Sequence, residues 1–118
     1  MRTIHPVHLH DQGAEVSNLH KGLLFIILHE PSISDNDRES LRRRLAPEVR
    51  AQTFGDATAE LVGILQNQLK HWPNNWPKLP PELNKKVQNL PVSPVTGRGN
   101  GDVDDLTAEA LNWLLGAF

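Results

Sequence analysis

FGDATAELV, residues 54–62, and VDDLTAEAL, residues 103–111, write nearly the same phrase twice, 49 positions apart. Aligned, Phe54 falls on Val103, Gly55 on Asp104, Thr58 on Thr107 and Glu60 on Glu109. Helix initiation accounts for the pattern. An apolar, β-like residue (Phe54 or Val103) precedes a capping position (Gly55 or Asp104), and the helix begins at the next residue. Thr58 and Thr107 then occupy the third helical position. From there a hydroxyl can reach back toward the capping residue's backbone, as Glu or Gln does in a capping box. Phe54 and Val103 stand where a hydrophobic staple residue belongs. Two helices that begin by one mechanism are expected to pack side by side as a duplicated arrangement. The alternative is coincidence, since Thr-Ala-Glu is common helical vocabulary.

After Gly55, Leu61, Val62, Leu65 and Leu69 share one face, which predicts a helix from Asp56 to about Lys70. After Asp104, Leu106, Ala110, Leu111, Leu114 and Leu115 cover about half of a helical wheel at about 100° per residue. A helix that apolar needs partners on several sides. Trp113, on the face of Leu106, is assigned to the core. Nearer the N-terminus, Val16, Leu19, Leu23 and Ile26 predict another core helix, ended by Pro31. Between these core helices, Ser34 to Leu45 reads as a shorter surface helix. Ser34 is its N-cap, Asp35 and Asp37 lie in its first turn, and Arg42, Arg43 and Arg44 in its last, with Pro47 as the stop.

Residues 71–101 carry six of the nine prolines and close on Gly97, Gly99 and Gly101, which excludes one long helix. Pro81 can open a short helix there. Such a composition also suits a disordered linker, but the tryptophans and the spaced Leu79, Leu83, Val87 and Leu90 predict that part of it packs back on the core. Residues 1–12 alternate as a short extended arm, and Pro6 keeps that arm out of a sheet interior.

With 118 residues the chain is read as a single domain with one modest core. A formal charge of −2 gives no global field directed at nucleic acid or an anionic membrane. There is no cysteine, hence no disulfide and no thiolate metal site. The opening residues have no apolar signal-peptide core, and the longest apolar run, Gly22 to Leu28, falls far short of a membrane span of roughly 20 residues. A soluble chain is expected, its location otherwise unknown: cell envelope or secreted if an exported parent carries it. The end at LLGAF, in or just past a helix, points to a longer parent.

Three blocks together resemble the small three-helix peptidoglycan-binding domains of bacteria. The first holds Leu9, Gly13, Val16, Leu19, His20 and Leu23, with His20 where the family has Gln. The second holds Phe54, Gly55, Thr58, Val62, Leu65 and Gln66. The third holds Gly101, Val103, Asp104, Thr107, Ala110, Leu111 and Leu114. The blocks cover about half the chain. They imply an all-α fold: a three-helix orthogonal bundle of peptidoglycan-binding type, here with one accessory helix and a long Pro-rich loop. Two connections depart from the family by their length, the one holding Ser34–Leu45 and the Pro/Gly-rich insertion of residues 71–101. Both border the surface where such domains would bind, so fold transfers better than binding does.

The histidines His5, His8, His10, His20 and His29 raise a metal reading, but no HExxH-type motif accompanies them, and a polar arm beside a helix start is expected instead. Asp56, Asp102, Asp104 and Asp105 fail the EF-hand spacing and read as helix-start acids. The four arginines between Arg38 and Arg44 read as a solvated helix end, or else as a patch for an acidic partner. Trp72 and Trp76, if exposed, would stack on sugars or prolines; if buried, they would pin the loop, which is the expectation.

No catalytic constellation, metal site or cofactor site is read. The expected function is a non-catalytic binding module that holds a larger bacterial protein near cell-wall glycan or its peptide stems. The expected ligand surface is Phe54, Gly55 and Asp56 with Trp72, Trp76 and Asp102. Its partners would be peptidoglycan or cell-wall peptide and the other domains of a parent, with no nucleic acid or membrane, and the chain would be a monomer in isolation. The second reading is the same scaffold used for protein contact inside a multidomain toxin or secreted assembly.

Overall fold

The computed structural model of the chain describes residues 3–30, 33–72 and 76–117. Among the described residues five helices follow in order: α1 (Ala14–His29), α2 (Asp35–Ala51), α3 (Asp56–Lys70), α4 (Pro81–Val87) and α5 (Asp105–Ala117). Among the described residues there is no strand, only three isolated antiparallel bridges. The chain is all-helical, as its periodicity predicts.

The helical stripes form one core. Val16, Leu19, Leu23 and Ile26 of α1, Leu61, Val62, Leu65 and Leu69 of α3, and Ala110, Leu111 and Leu114 of α5 are all buried in it. Each fully buried leucine, valine or isoleucine contributes about 1.5–3 kcal/mol relative to exposure. A radius of gyration of 13.2 Å matches the value of about 13 Å for a folded chain of this length. α1 stops at His29, and Glu30 is extended, the conformation a following proline imposes. Pro31, the expected stop, lies outside the described residues.

α2 departs from expectation. Pro47 does not stop it: the helix continues to Ala51 and ends where Gln52 turns left-handed, at φ 53°. A proline within a helix removes one backbone bond and costs about 3 kcal/mol. The extra turn, however, carries Glu48 onto the first turn of α3, where its carboxylate caps three backbone amides. Leu45 is buried and Leu41 half-buried, so α2 lies on the core by a narrow stripe.

The Pro-rich stretch packs. α4 opens on Pro81 at its first turn and buries Leu83 and Val87. Trp76, Leu79 and Leu90 are buried with them. The segment then returns along α3 as a glycine strap. The Gly99 amide donates to the Gly63 carbonyl at 2.9 Å. At Gly101, φ is +81° and an added Cβ would lie 2.5 Å from the Ala59 carbonyl oxygen. Glycine is required there both by backbone conformation and by the approach of two backbones.

The N-terminal arm binds both helix starts. Val7 and Val103 exchange backbone bonds of 3.1 Å, while the His10 amide donates to Phe54 and the Phe54 amide to Asp11. Asn112 of α5 grips Ile4 through its backbone N–H and C=O. The two residues that correspond across the repeated phrase, Phe54 and Val103, are thus held by one strip of backbone.

Candidate functional site

The two repeated starts are equivalent. Thr58 and Thr107 each sit at the third position of their helices, and both are fully buried. The capping-box comparison predicts that their hydroxyls reach back to the capping residue; they do not, and reach across to other helices. His20 of α1 lies 2.8 Å from the Thr58 hydroxyl, and Gln66 of α3 donates to the Thr107 hydroxyl at 3.0 Å. The cap itself is made otherwise. Asp104 accepts from the Thr107 amide at 2.7 Å, and at the other start Glu48 replaces the missing side chain of Gly55. The helices that supply His20 and Gln66 also correspond: Val16-x-x-Leu19-His20-x-x-Leu23 repeats as Val62-x-x-Leu65-Gln66-x-x-Leu69.

Glu48 accepts from the Gly55 amide at 3.0 Å, the Ala57 amide at 2.9 Å, the Thr58 amide at 2.8 Å and the Thr58 hydroxyl at 2.6 Å. Burial by itself would push its carboxyl up, but the bonds from Thr58, Ala57 and Gly55 together hold it below the usual carboxylate range. Because the Thr58 proton goes to Glu48, His20 must donate through Nε2–H, which leaves Nδ1 bare. Nδ1 is buried with no hydrogen-bond partner among the described residues. A proton there would be stranded, and burial accordingly pushes the His20 pKa down, against a weaker opposing pull from Glu48.

Glu48, Thr58 and His20 superficially line up as acid, nucleophile and base. A nucleophile must pass its proton to the base and meet substrate; Thr58 gives its proton to Glu48 and is sealed from solvent. This trio joins three helices. At the second start Gln66 joins two helices and the strap: besides its bond to Thr107, its amide oxygen accepts from the Gly101 amide at 3.0 Å, and its nitrogen also donates to the Asp102 carbonyl at 2.8 Å.

The six expected ligand residues fall in two places. Phe54 is a core anchor, Gly55 lies beneath the Glu48 carboxylate, and Asp56 is exposed on the first turn of α3. Asp102 is close to that group through the arm, its carboxylate 2.5 Å from His8 Nδ1. That hydrogen bond and the charge of Asp102 raise the His8 pKa. Trp72 and Trp76 lie beyond the opposite end of α3, a helix of 15 residues and about 22 Å. Trp76 is 5% exposed and meets Trp72 edge-on, with ring centres 4.9 Å apart; Trp72 also contacts Trp113 at 5.8 Å. These contacts and the bond from Trp72 Nε1 to the Pro77 carbonyl pin the loop, leaving Trp72 half-buried. Residues 73–75 lie outside the described residues. Asp104 caps α5 and Asp102 engages the arm, so two of the four aspartates read as helix-start acids have structural partners. Among the described residues no group of three or more acidic or histidine side chains is arranged to hold a metal ion, and no helix is long and apolar enough to cross a membrane.

A cleft of about 350 Å³ opens elsewhere, between α1, α2 and α3. Ile26, Ile27, Leu61, Ile64 and Leu65 make its apolar lining. Glu60 stands on its rim between Arg44 of α2 and Arg98 of the strap, bonded to both. The Arg44 hydrogen bond holds the Glu60 carboxyl below its usual range, burial opposes this, and Arg98 adds to it. At the far end are Asp37 and Gln68, whose amide oxygen is buried without a partner among the described residues. Sequence reasoning missed this cleft because two of its walls, α2 and Arg98, come from the two long connections, which no helical period relates to α1 and α3. The signal available was an arginine, Arg98, within a glycine strap, and a glutamine, Gln68, on α3 beyond the apolar Ile64 and Leu65.

Comparison with known protein families, with curated proteins and with solved structures finds no match to this chain.

Proposed function

We propose that this chain is a non-catalytic binding module of the peptidoglycan-binding type, which holds a larger bacterial protein near cell-wall glycan or its peptide stems. The observation that carries this reading is the pair of equivalent helix starts. Thr58 and Thr107 stand at the same helical position, each bonded to the same position of the preceding core helix, His20 or Gln66. Those four residues lie inside the three blocks on which the resemblance rests. Of the six residues considered for the ligand surface, Asp56, Asp102 and the half-buried Trp72 still reach solvent, while Phe54 and Trp76 act as anchors.

Purified cell-wall sacculi should retain the protein, and Trp72→Ala, with an unchanged far-UV circular dichroism spectrum, should be retained less. The second reading, protein contact within a larger assembly, is favoured by the exposed Arg42, Arg43 and Arg50 on the outer side of α2. No retention on sacculi at any salt concentration selects that reading over the first.

A further inference from the structure

The cleft between α1, α2 and α3 uses none of the six residues considered for wall contact, and its charge is bipolar. At one end Arg44 and Arg98 flank Glu60, the one carboxylate among the lining residues there, while the charge of Glu48, bound to the start of α3 outside the cleft, also reaches Arg44. A guanidinium has five N–H donors in a planar fork, so two of them around one carboxylate keep donors for another. At the other end is the carboxylate of Asp37, on a lining that also holds Gln68, whose amide oxygen is buried without a partner among the described residues. Gln68 follows Glu60 by eight residues on α3, about 12 Å along the axis, and Asp37 precedes Arg44 by seven on α2, about 10 Å. Glu48 meets Thr58, Arg44 meets Glu60, and Asp37 and Gln68 line the same cleft, so α2 and α3 run in opposite directions here and these spacings agree.

We infer that this cleft binds a short extended peptide with small apolar side chains and both ends free. The C-terminal carboxylate meets Arg44 and Arg98, and the amino group faces Asp37. At about 3.3–3.6 Å per extended residue, a separation of about 10–12 Å holds three or four residues. The apolar floor takes the side chains on one side of the peptide. Gln68, whose amide oxygen is buried, offers the backbone one hydrogen bond when its side chain turns toward the cleft. Both connections that depart from the family pattern supply walls of this cleft, α2 from one and Arg98 from the other. The inference stands apart from the wall-binding reading, because it needs a peptide and not a wall.

The test is titration of the whole chain with tetra-alanine, followed by calorimetry and by the NMR signals of Ile64, Leu65 and Gln68. Saturable binding that shifts those signals is expected. Tetra-alanine carrying a C-terminal amide should bind about tenfold more weakly or worse, since it loses charge-assisted hydrogen bonds. Arg98→Ala, on the exposed strap and checked by circular dichroism, should reproduce that loss. N-acetylation should weaken binding through Asp37. Three results overturn the inference: no saturable shift with tetra-alanine, equal affinity of the amide and acid forms, or shifts centred on Trp72 in place of the cleft.

Discussion

Glu48 shows how much of this fold one side chain carries. It takes four hydrogen bonds from Gly55, Ala57 and Thr58, and it lies so close to Gly55 that an added Cβ there would meet its carboxyl carbon at 2.7 Å. Glu48→Ala leaves three amides and a hydroxyl at a helix start without their acceptor. Loss of a cap and of buried partners together should destabilise the protein by about 2–3 kcal/mol. Glu48→Gln keeps an acceptor but loses the charge, and should fall between wild type and Glu48→Ala in urea denaturation. Equal stability of all three proteins would remove Glu48 from this role.

At the scale of elements, the glycine strap depends on close backbone approach and not on flexibility in general. Gly101 and Gly97 both have positive φ, +81° and +67°, but a Cβ at Gly97 meets nothing within 4 Å. Gly97→Ala should therefore cost only the left-handed backbone penalty, about 1–2 kcal/mol. Gly101→Ala adds a clash with the Ala59 carbonyl and should cost more, about 3 kcal/mol or above. It should also loosen the bond from the Gly101 amide to Gln66, read as faster amide hydrogen exchange at Gly101. Similar losses for the two variants would mean that the strap does not lie flat on α3. The same flat contact brings Arg98 to Glu60 and so closes one end of the cleft.

For the whole molecule, the buried network ties stability to pH. His20 has a depressed pKa in the fold, so the unfolded chain binds more protons as pH falls below about 6.5. Its contribution is present above that value and is lost progressively below it. Glu48, also depressed, adds a second loss below about pH 4.3, as pH falls toward its folded pKa. His8 acts in the opposite sense. Its pKa is raised by Asp102, so its contribution is full below about 6.5 and disappears as pH rises through the folded value. With more than a third of each side chain exposed, that pair is screened by solvent and acts weakly. Net stability should fall between about pH 6.5 and 5. His20→Gln, which keeps a donor to Thr58 but cannot titrate, should flatten the decline. Urea midpoints that decline equally in both proteins would assign the pH dependence to other groups.

The sequence by itself determined the helices and their starts. Apolar spacing is a local property, and the stripes of α1, α3 and α5 are read from residues three and four apart. The short helix at Pro81 and the burial of Leu79, Leu83, Val87 and Leu90 were legible for the same reason. Only the tertiary structure decided where polar side chains at those starts would reach, because their partners are 10 to 41 positions away. Hence the threonine hydroxyls cross between helices, and α2 passes through Pro47 to deliver Glu48. The residues expected to form one ligand surface are divided by the length of α3, and the cleft gathers residues from α1, α2, α3 and the strap. Local periodicity carries no information on which distant segments meet; the packing of the core supplies it.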